Sequence, residues 1–246
     1  TGTNNNRWNN SSNWTNGVPN QNTDVIIGDA NFSGLYQPEL DGTTAECRSL
    51  IIGDGTIASS LSIKKNIIIY GDLTIGSYGT INAANNNRTI TLKGNWINNG
   101  TYSATSTSAT VIFSGAADSI VGNTTFQKLE INSNTILTLA SDITVNNELV
   151  VNGTLDPTSS YKVMGSGDLS LNSNGTLLVQ AEYLTENYPI TGTISLHKTS
   201  VVDYCSSTIT QYISDRFSYG KLRISGGSTK ELIGNLPELQ SNSSTT

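Results

Sequence analysis

The sequence repeats a short unit in which an alternating apolar strand is followed, a few residues later, by a Gly-Thr pair that opens the next strand. The step from Gly79 to Gly100 is 21 residues, and that from Gly153 to Gly175 is 22. This is the length of one coil of a β-solenoid. The spacing therefore predicts a stack of coils. The clearest units are residues 71–81, 94–102, 147–155 and 167–177.

The residue types of the unit suit such a coil. Apolar and polar positions alternate along each strand, so one set of side chains faces the interior and the other faces water. Gly and Asn follow the strands, where we expect them to make corners, often with φ above zero. Asn side chains at the corners are also expected to stack into hydrogen-bonded ladders.

A longer segment occurs twice, 90 to 93 residues apart: residues 110–115 and 128–131 return as 200–204 and 221–224. Leu129 and Leu222 hold the same place in the two copies. Because strand faces alternate with period two, both leucines are expected to point into the core.

Composition favours a folded chain without nucleic acid or membrane partners. Only 13% of the residues are charged and 35% are hydrophobic, while Ile, Val and Leu recur in tight alternating groups. The net charge is −6, and the 13 Lys and Arg residues are scattered, so the clustered basic surface that phosphate binding needs is missing. No apolar run reaches the roughly 18 residues of a membrane helix.

We divide the chain into three regions. Residues 1–24, with nine Asn residues, Trp8 and Trp14, are a predicted N-terminal cap, because the first coil of a solenoid needs a cover. Residues 25–239 form the predicted all-β, right-handed parallel β-helix, with about 20–24 residues per coil. Residues 240–246 are a polar tail or linker. The second long repeat stops early, so we expect further coils or another chain at the C-terminal end.

Several stretches resemble one family. Arg7-Trp8, Gly17-Val-Pro19, residues 24–27 and 45–52, and the later residues 111–131 are similar to β-helical modules of secreted and cell-surface adhesin-like proteins of Bacteroidetes, which the type IX secretion system commonly exports. The resemblance implies an extracellular location and a non-enzymatic role as a stalk, structural or binding module. The C-terminal sorting domain usual in such cargo is missing from the sequence.

Residues 180–189 interrupt the repeat and provide the candidate ligand site. Glu182, Tyr183, Glu186 and Tyr188 combine aromatic rings, which suit sugar faces, with carboxylates, and loops on a rigid scaffold often carry binding. The predicted partner is a glycan or another cell-surface ligand. The alternative is that Tyr183 and Leu184 pack against the side of the solenoid.

The alternative function is a polysaccharide-acting enzyme, a lyase or glycoside hydrolase of β-helix fold. Hydrolases of this kind need paired carboxylates, whereas no two acidic residues are adjacent here. His197 is expected at the surface, without an orienting acid. We therefore predict no enzyme, although carboxylates can converge from different coils. An ice-binding solenoid needs regularly repeated Thr, and Thr105, Thr107 and Thr110 do not repeat coil by coil.

The sequence predicts no cofactor and no metal site. Asp29, Glu39 and Asp41 bracket an irregular stretch and could bind calcium through carboxylate oxygens, but their spacing fits no EF-hand loop and solvated loop acids are commoner. Ser119 lies in Asp-Ser-Ile, which resembles the Bacteroidetes O-glycosylation motif.

The two cysteines are expected to be free. Cys47 and Cys205 are 158 residues apart, or roughly seven coils, which separates them by roughly 30 Å or more along the stack. A disulfide needs Cα atoms within about 7 Å. Both neighbour apolar strands, so we expect them to be mostly buried.

Overall fold

The structure, a computed structural model, describes residues 4–29, 36–84 and 87–235. These residues contain 24 β-strands, one 3-10 turn at Ser11–Asn13 and one short helix, α1, at Leu184–Asn187. The strands are β1 Asp24–Ile27, β2 Ala45–Cys47, β3 Ser49–Ile52, β4 Ser59–Ser62, β5 Ile67–Ile69, β6 Leu73–Ile75, β7 Gly79–Asn82, β8 Thr89–Leu92, β9 Trp96–Asn98, β10 Thr101–Ser103, β11 Thr110–Phe113, β12 Ala117–Val121, β13 Thr124–Ile131, β14 Ile136–Leu139, β15 Ile143–Val151, β16 Thr154–Asp156, β17 Val163–Met164, β18 Asp168–Leu171, β19 Thr176–Val179, β20 Ile194–Leu196, β21 Val201–Tyr204, β22 Gln211–Ser214, β23 Lys221–Ile224 and β24 Lys230–Ile233.

The strands wind into a three-sided solenoid of about nine coils. Face 1 is a ten-stranded sheet, in the order β1-β3-β6-β9-β12-β14-β16-β19-β21-β23, and face 2 is a nine-stranded sheet running from β2 to β20. Face 3 is broken into shorter pieces: β4, β7 and β10, then the first halves of β13 and β15 with β17, then β22 and β24. Neighbouring strands are parallel throughout the described ranges, which confirms the predicted parallel β-helix.

Paired positions in consecutive coils are 18 to 25 residues apart, from Leu137 and Leu155 at the short end to Val25 and Leu50 at the long end. The core is built from columns of side chains that these pairings stack. Face 2 contributes two such columns, and every side chain in them except that of Ile194 is buried. The columns are Ala45-Ile67-Ile90-Val111-Leu129-Leu149-Leu169-Ile194 and Cys47-Ile69-Leu92-Phe113-Ile131-Val151-Leu171-Leu196.

The Gly-Thr corners differ from the expectation of positive φ. None of the four glycines has a positive φ; Asn134 and Asn174, with φ of 68° and 63°, have it instead. A β-carbon on each glycine would meet a backbone carbonyl oxygen of the preceding coil at 2.2 to 2.4 Å. Glycine is therefore required there by the close approach of two coils. The four are Gly79, Gly100, Gly153 and Gly175.

A corner Asn ladder is present, as expected. The Nδ2 of Asn172 donates to the Oδ1 of Asn152 at 2.9 Å, and the Nδ2 of Asn152 donates to Glu130 at 3.1 Å. These amides satisfy each other from coil to coil at the corner after face 2.

The two ends of the described part of the solenoid differ in burial. In the region predicted as a cap, Trp8 is buried and packs edge-on against Trp14, with ring centroids 4.8 Å apart. At the other end Leu222 stacks on Val202 but is half-buried, whereas Leu129 is fully buried. The prediction for Leu129 is confirmed; that for Leu222 is right in register but not in burial. The predicted tail, residues 240–246, lies outside the described residues.

The two copies of the long repeat lie on different faces. Residues 110–113 and 128–131 are β11 and the second half of β13 on face 2, whereas β21 and β23 are neighbours on face 1. The repeat therefore reflects the residue types that strands and corners need on every face. It does not predict on which face a strand lies.

Both cysteines are free, as predicted. Cys47 is fully buried at the start of a face 2 column, and this burial raises its pKa to about 12. Cys205 follows β21 and is only half-buried. The prediction that both cysteines are mostly buried is therefore confirmed for Cys47 and only partly for Cys205.

Candidate functional site

The segment that interrupts the repeat, residues 180–189, is an excursion from the coil path between β19 and β20, and it carries α1. Asn187 holds it in place: its Oδ1 accepts from the backbone N–H groups of Gln180 and Ala181, both at 2.8 Å, and its Nδ2 donates to the carbonyls of Thr158 and Tyr161 at 2.9 and 3.2 Å. This side chain is 1% exposed. A buried amide with all these groups satisfied fixes the loop on the solenoid.

Tyr188, one of the four predicted ligand residues, is a core residue. It is 1% exposed, and its hydroxyl donates toward the carbonyls of Leu178 at 2.9 Å and Leu155 at 3.2 Å. Burial holds the pKa of its phenol well above the ordinary value. Tyr188 cannot contact a ligand, so its assignment to the site was wrong.

Glu186 has a local structural role. Its Oε2 accepts from the backbone N–H groups of Glu182 and Tyr183, at 3.1 and 3.4 Å, at the start of α1. Leu184 is buried, as the packing alternative expected. Glu186 is otherwise exposed to solvent.

Tyr183 remains at the surface and stacks on Tyr212. The ring centroids are 5.2 Å apart and the planes differ by 21°. Tyr212 points outward from β22, and its backbone N–H donates to the carbonyl of Glu182 at 2.9 Å. The excursion thus continues the ladder of face 3, and the ladder spacing places the two rings one above the other.

A cavity of about 190 Å³ lies beside this pair and adjoins a second cavity of about 310 Å³. Arg216 and Phe217 line both. The guanidinium of Arg216 makes no hydrogen bond or ion pair with the described residues, and the residue is exposed. The first cavity is lined by Tyr183, Leu184, Thr185, Tyr212, Ser214, Arg216, Phe217 and Ile233. We call this region the tyrosine cleft.

Sequence reasoning found Tyr183 but missed Tyr212, Arg216 and Phe217. Tyr212 is 29 positions after Tyr183, more than one coil, because the excursion adds length between them. The available signal was the alternation of Gln211-Tyr-Ile-Ser, in which buried Ile213 fixes Tyr212 on the outer side of the strand.

The candidate calcium ligands do not converge. Glu39 pairs with Lys64 at 2.7 Å, and Asp41 pairs with Arg7 at 2.9 Å. Within the described ranges no group of three or more His, Cys, Asp or Glu residues could hold a metal ion. The geometry of Glu39 and Asp41 is that of surface ion pairs, so calcium at this stretch is not supported.

Ser119 lies on the outer side of β12, half-buried. Its hydroxyl donates to the Oδ1 of Asn95 at 2.8 Å, and its backbone N–H bonds the same oxygen at 3.0 Å. The hydroxyl is thus part of a coil-to-coil contact.

Two groups bear on acid–base chemistry. Asp118 is 4% exposed and accepts from the backbone N–H of Gly115 at 2.9 Å; burial, and secondly the charge of Asp72, raise its pKa. This carboxyl is enclosed at a corner. His197 is exposed, as expected, and its Nδ1 accepts from the backbone N–H of Thr199 at 3.2 Å, which closes a turn.

Comparisons with known protein families, with curated proteins and with solved structures give no match to this chain. In the described part of the chain, neither helix is long and apolar enough to cross a membrane.

Proposed function

We propose that this chain is a non-enzymatic extracellular β-solenoid module of a secreted or cell-surface protein, and that it binds a glycan at the tyrosine cleft. The observation that carries the proposal is the stack of Tyr183 on Tyr212 beside a cavity on the outer wall of a rigid solenoid. The adhesin-like resemblance of the sequence supports the extracellular setting.

The chemistry of the cleft suits a sugar. Tyrosine rings present apolar faces with a polar hydroxyl at one end, which matches a pyranose ring with its mixed apolar and hydroxyl surfaces. Arg216 adds unpaired donors, and Ser214 and Thr185 add hydroxyls at the rim. Since Asn187 anchors the loop before binding, little ordering entropy is lost on association.

The proposal is tested by screening the purified chain against a panel of surface polysaccharides and measuring the affinity for any that binds. Tyr212→Leu and Tyr183→Leu should each weaken binding at least about tenfold, the size expected for a lost aromatic contact of 1.4 kcal/mol or more. Tyr78→Leu is the matched control, because Tyr78 is 49% exposed elsewhere on the solenoid.

Binding that is equally reduced by the control, or unaffected by both cleft variants, would contradict the site. The bound polysaccharide is then incubated with the protein and assayed for new reducing ends and unsaturated products. Their appearance at a catalytic rate would favour the polysaccharide-acting enzyme instead.

A further inference from the structure

The tyrosine cleft has a charge of one sign. Among the described residues that line its two cavities, Arg216 alone is charged. The other polar groups there are hydroxyls, those of the tyrosines and of Thr185, Ser195, Ser214 and Ser218. The chain as a whole has a net charge of −6, so a polyanion gains nothing from its overall charge, and binding of an anion needs a local cation.

The loop that carries Arg216 is held by the core. Tyr219 is 2% exposed, and its hydroxyl donates to the carbonyl of Ser214 at 3.0 Å, which closes the loop between them. The backbone N–H of Arg216 donates to the Oγ of Ser214 at 3.2 Å. The guanidinium itself has no hydrogen bond or ion pair with the described residues, whereas that of Arg223 bonds Asp203 at 2.7 Å. A free guanidinium on an anchored loop is therefore available to a ligand.

The neighbouring carboxylates lie outside both cavities. Asp215 directly precedes Arg216 but lines neither of them, and the same holds for Glu182 and Glu186 on the excursion. Partial burial, followed by the charges of Glu182 and Glu186, raises the pKa of Tyr183, which lines the first cavity alone. Negative charge thus lies beside Tyr183, and positive charge lies at Arg216, where the two cavities meet. A ligand with an anionic group is thereby oriented with that group on Arg216.

We propose that the glycan bound at the tyrosine cleft is acidic, and that the carboxylate of a uronic acid unit pairs with the guanidinium of Arg216. This inference rests on the proposed function, since it names the ligand class of the same site. A guanidinium presents its N–H donors as a planar fork that matches both oxygens of a carboxylate. Because Arg216 lines both cavities, a sugar chain that runs through them passes the guanidinium while another of its rings contacts Tyr183 and Tyr212.

The test measures the affinity of the full chain for alginate and hyaluronan, two uronate polysaccharides, and for the same polymers after their carboxylates have been reduced to alcohols. The wild-type protein should bind at least one acidic polymer about tenfold or more tighter than its reduced form. Arg216→Gln should bind both forms alike. Arg216→Lys keeps the charge without the fork and should retain only part of the preference.

Lys65→Gln is the matched control for the loss of one positive charge. Lys65 lies just before β5, which is six strands away from β20 in the ladder of face 2, whereas residues of β20 line the second cavity. This variant should keep the full preference for the acidic polymer. Circular dichroism verifies that all variants keep their β-structure.

The outcomes separate this inference from the proposed function. Equal affinity for the acidic and reduced polymers, with both weakened by Tyr212→Leu, overturns the acidic ligand and leaves the cleft as a glycan site. A preference that Arg216→Gln retains, or that Lys65→Gln removes equally, overturns the role of Arg216. Dextran sulfate bound as tightly as the uronate polymers overturns the assignment to a carboxylate. Binding of no polysaccharide, or binding that Tyr212→Leu leaves unchanged, overturns the proposed function as well.

Discussion

Gly153 lies so close to the backbone of Thr135, in the preceding coil, that a β-carbon at position 153 would come within 2.3 Å of the Thr135 carbonyl oxygen. No side chain fits in that space. The same relationship recurs at the other Gly-Thr corners, and it explains why the shortest recurring element of the sequence is a glycine followed by a threonine that starts a strand.

Gly153→Ala should therefore destabilise the protein by about 1–3 kcal/mol, the cost of forcing extra volume into a packed site. Gly227→Ala is the matched control: a β-carbon there meets nothing within 4 Å, so the free energy of unfolding should stay the same or rise slightly. Urea unfolding followed by circular dichroism measures both. Equal losses in the two variants would show that packing at the corner is not the reason for glycine.

Truncation of the two equivalent leucines should give unequal losses. Leu129→Ala removes a fully buried side chain from the middle of a column and should cost about 2–5 kcal/mol. Leu222 is half-buried in the last described coil, so Leu222→Ala should cost about 1 kcal/mol. The free energies of unfolding of the two variants are compared. A larger loss of stability for Leu222→Ala than for Leu129→Ala would contradict the burial of these two side chains in the structure.

The two thiols should differ in reactivity. The thiolate is the reactive form, and burial raises the pKa of both thiols, to about 12 for Cys47. In the native protein at pH 8, Ellman's reagent should react slowly with Cys205 and still more slowly with Cys47, which is fully enclosed. Both should react in denaturant without prior reduction. A protein that releases no colour until a reductant is added would contain a disulfide.

Asp118 should make the protein less stable as the pH rises. Its pKa is raised in the folded state from an ordinary value of 3.8, so the folded chain holds the proton more tightly than the unfolded chain. Stability is therefore lost as the pH rises from 3.8 through the native pKa. Asp118→Asn removes this titration, so its stability relative to the wild type should increase over that window.

The pH dependence of the difference isolates Asp118 from other groups. Asp24, whose pKa is lowered by Arg48, acts in the opposite direction, because its contribution is lost as the pH falls. It does so in both proteins, and its effect cancels in the comparison. A difference between wild type and Asp118→Asn that is flat between pH 3 and pH 7 would contradict the raised pKa.

Removing the hydroxyl of Tyr188 should be costly, whereas removing that of Tyr183 should not. Tyr188→Phe removes the hydrogen bond that the buried Tyr188 hydroxyl donates to the Leu178 carbonyl at 2.9 Å and should lose about 1–3 kcal/mol. Tyr183→Phe keeps the stack on Tyr212 and should change stability by less than about 0.5 kcal/mol. Thermal unfolding of both variants provides the measurement, and equal values would argue against the buried placement of Tyr188.

The sequence determined the architecture because its signals are local. Alternation along each strand and glycine corners that are 21 or 22 residues apart in two places indicate a strand, a turn and a coil length, and the parallel ladder follows from stacking such coils. The same local signals placed Leu129 inside and kept Cys47 apart from Cys205. Local signals are sufficient to predict the burial of a residue when that burial depends only on its position within its own strand.

Only the tertiary structure decided the face of each strand and the members of the tyrosine cleft. Three faces share one strand chemistry, so the long repeat could lie on face 2 in one copy and face 1 in the other. Tyr183 and Tyr188 lie in the same ten-residue excursion, yet one stacks on Tyr212 and the other fills the core. That choice depends on contacts such as Tyr183 with Tyr212, 29 positions apart, and Tyr188 with Leu155, 33 positions apart, which only the winding of the coils brings together.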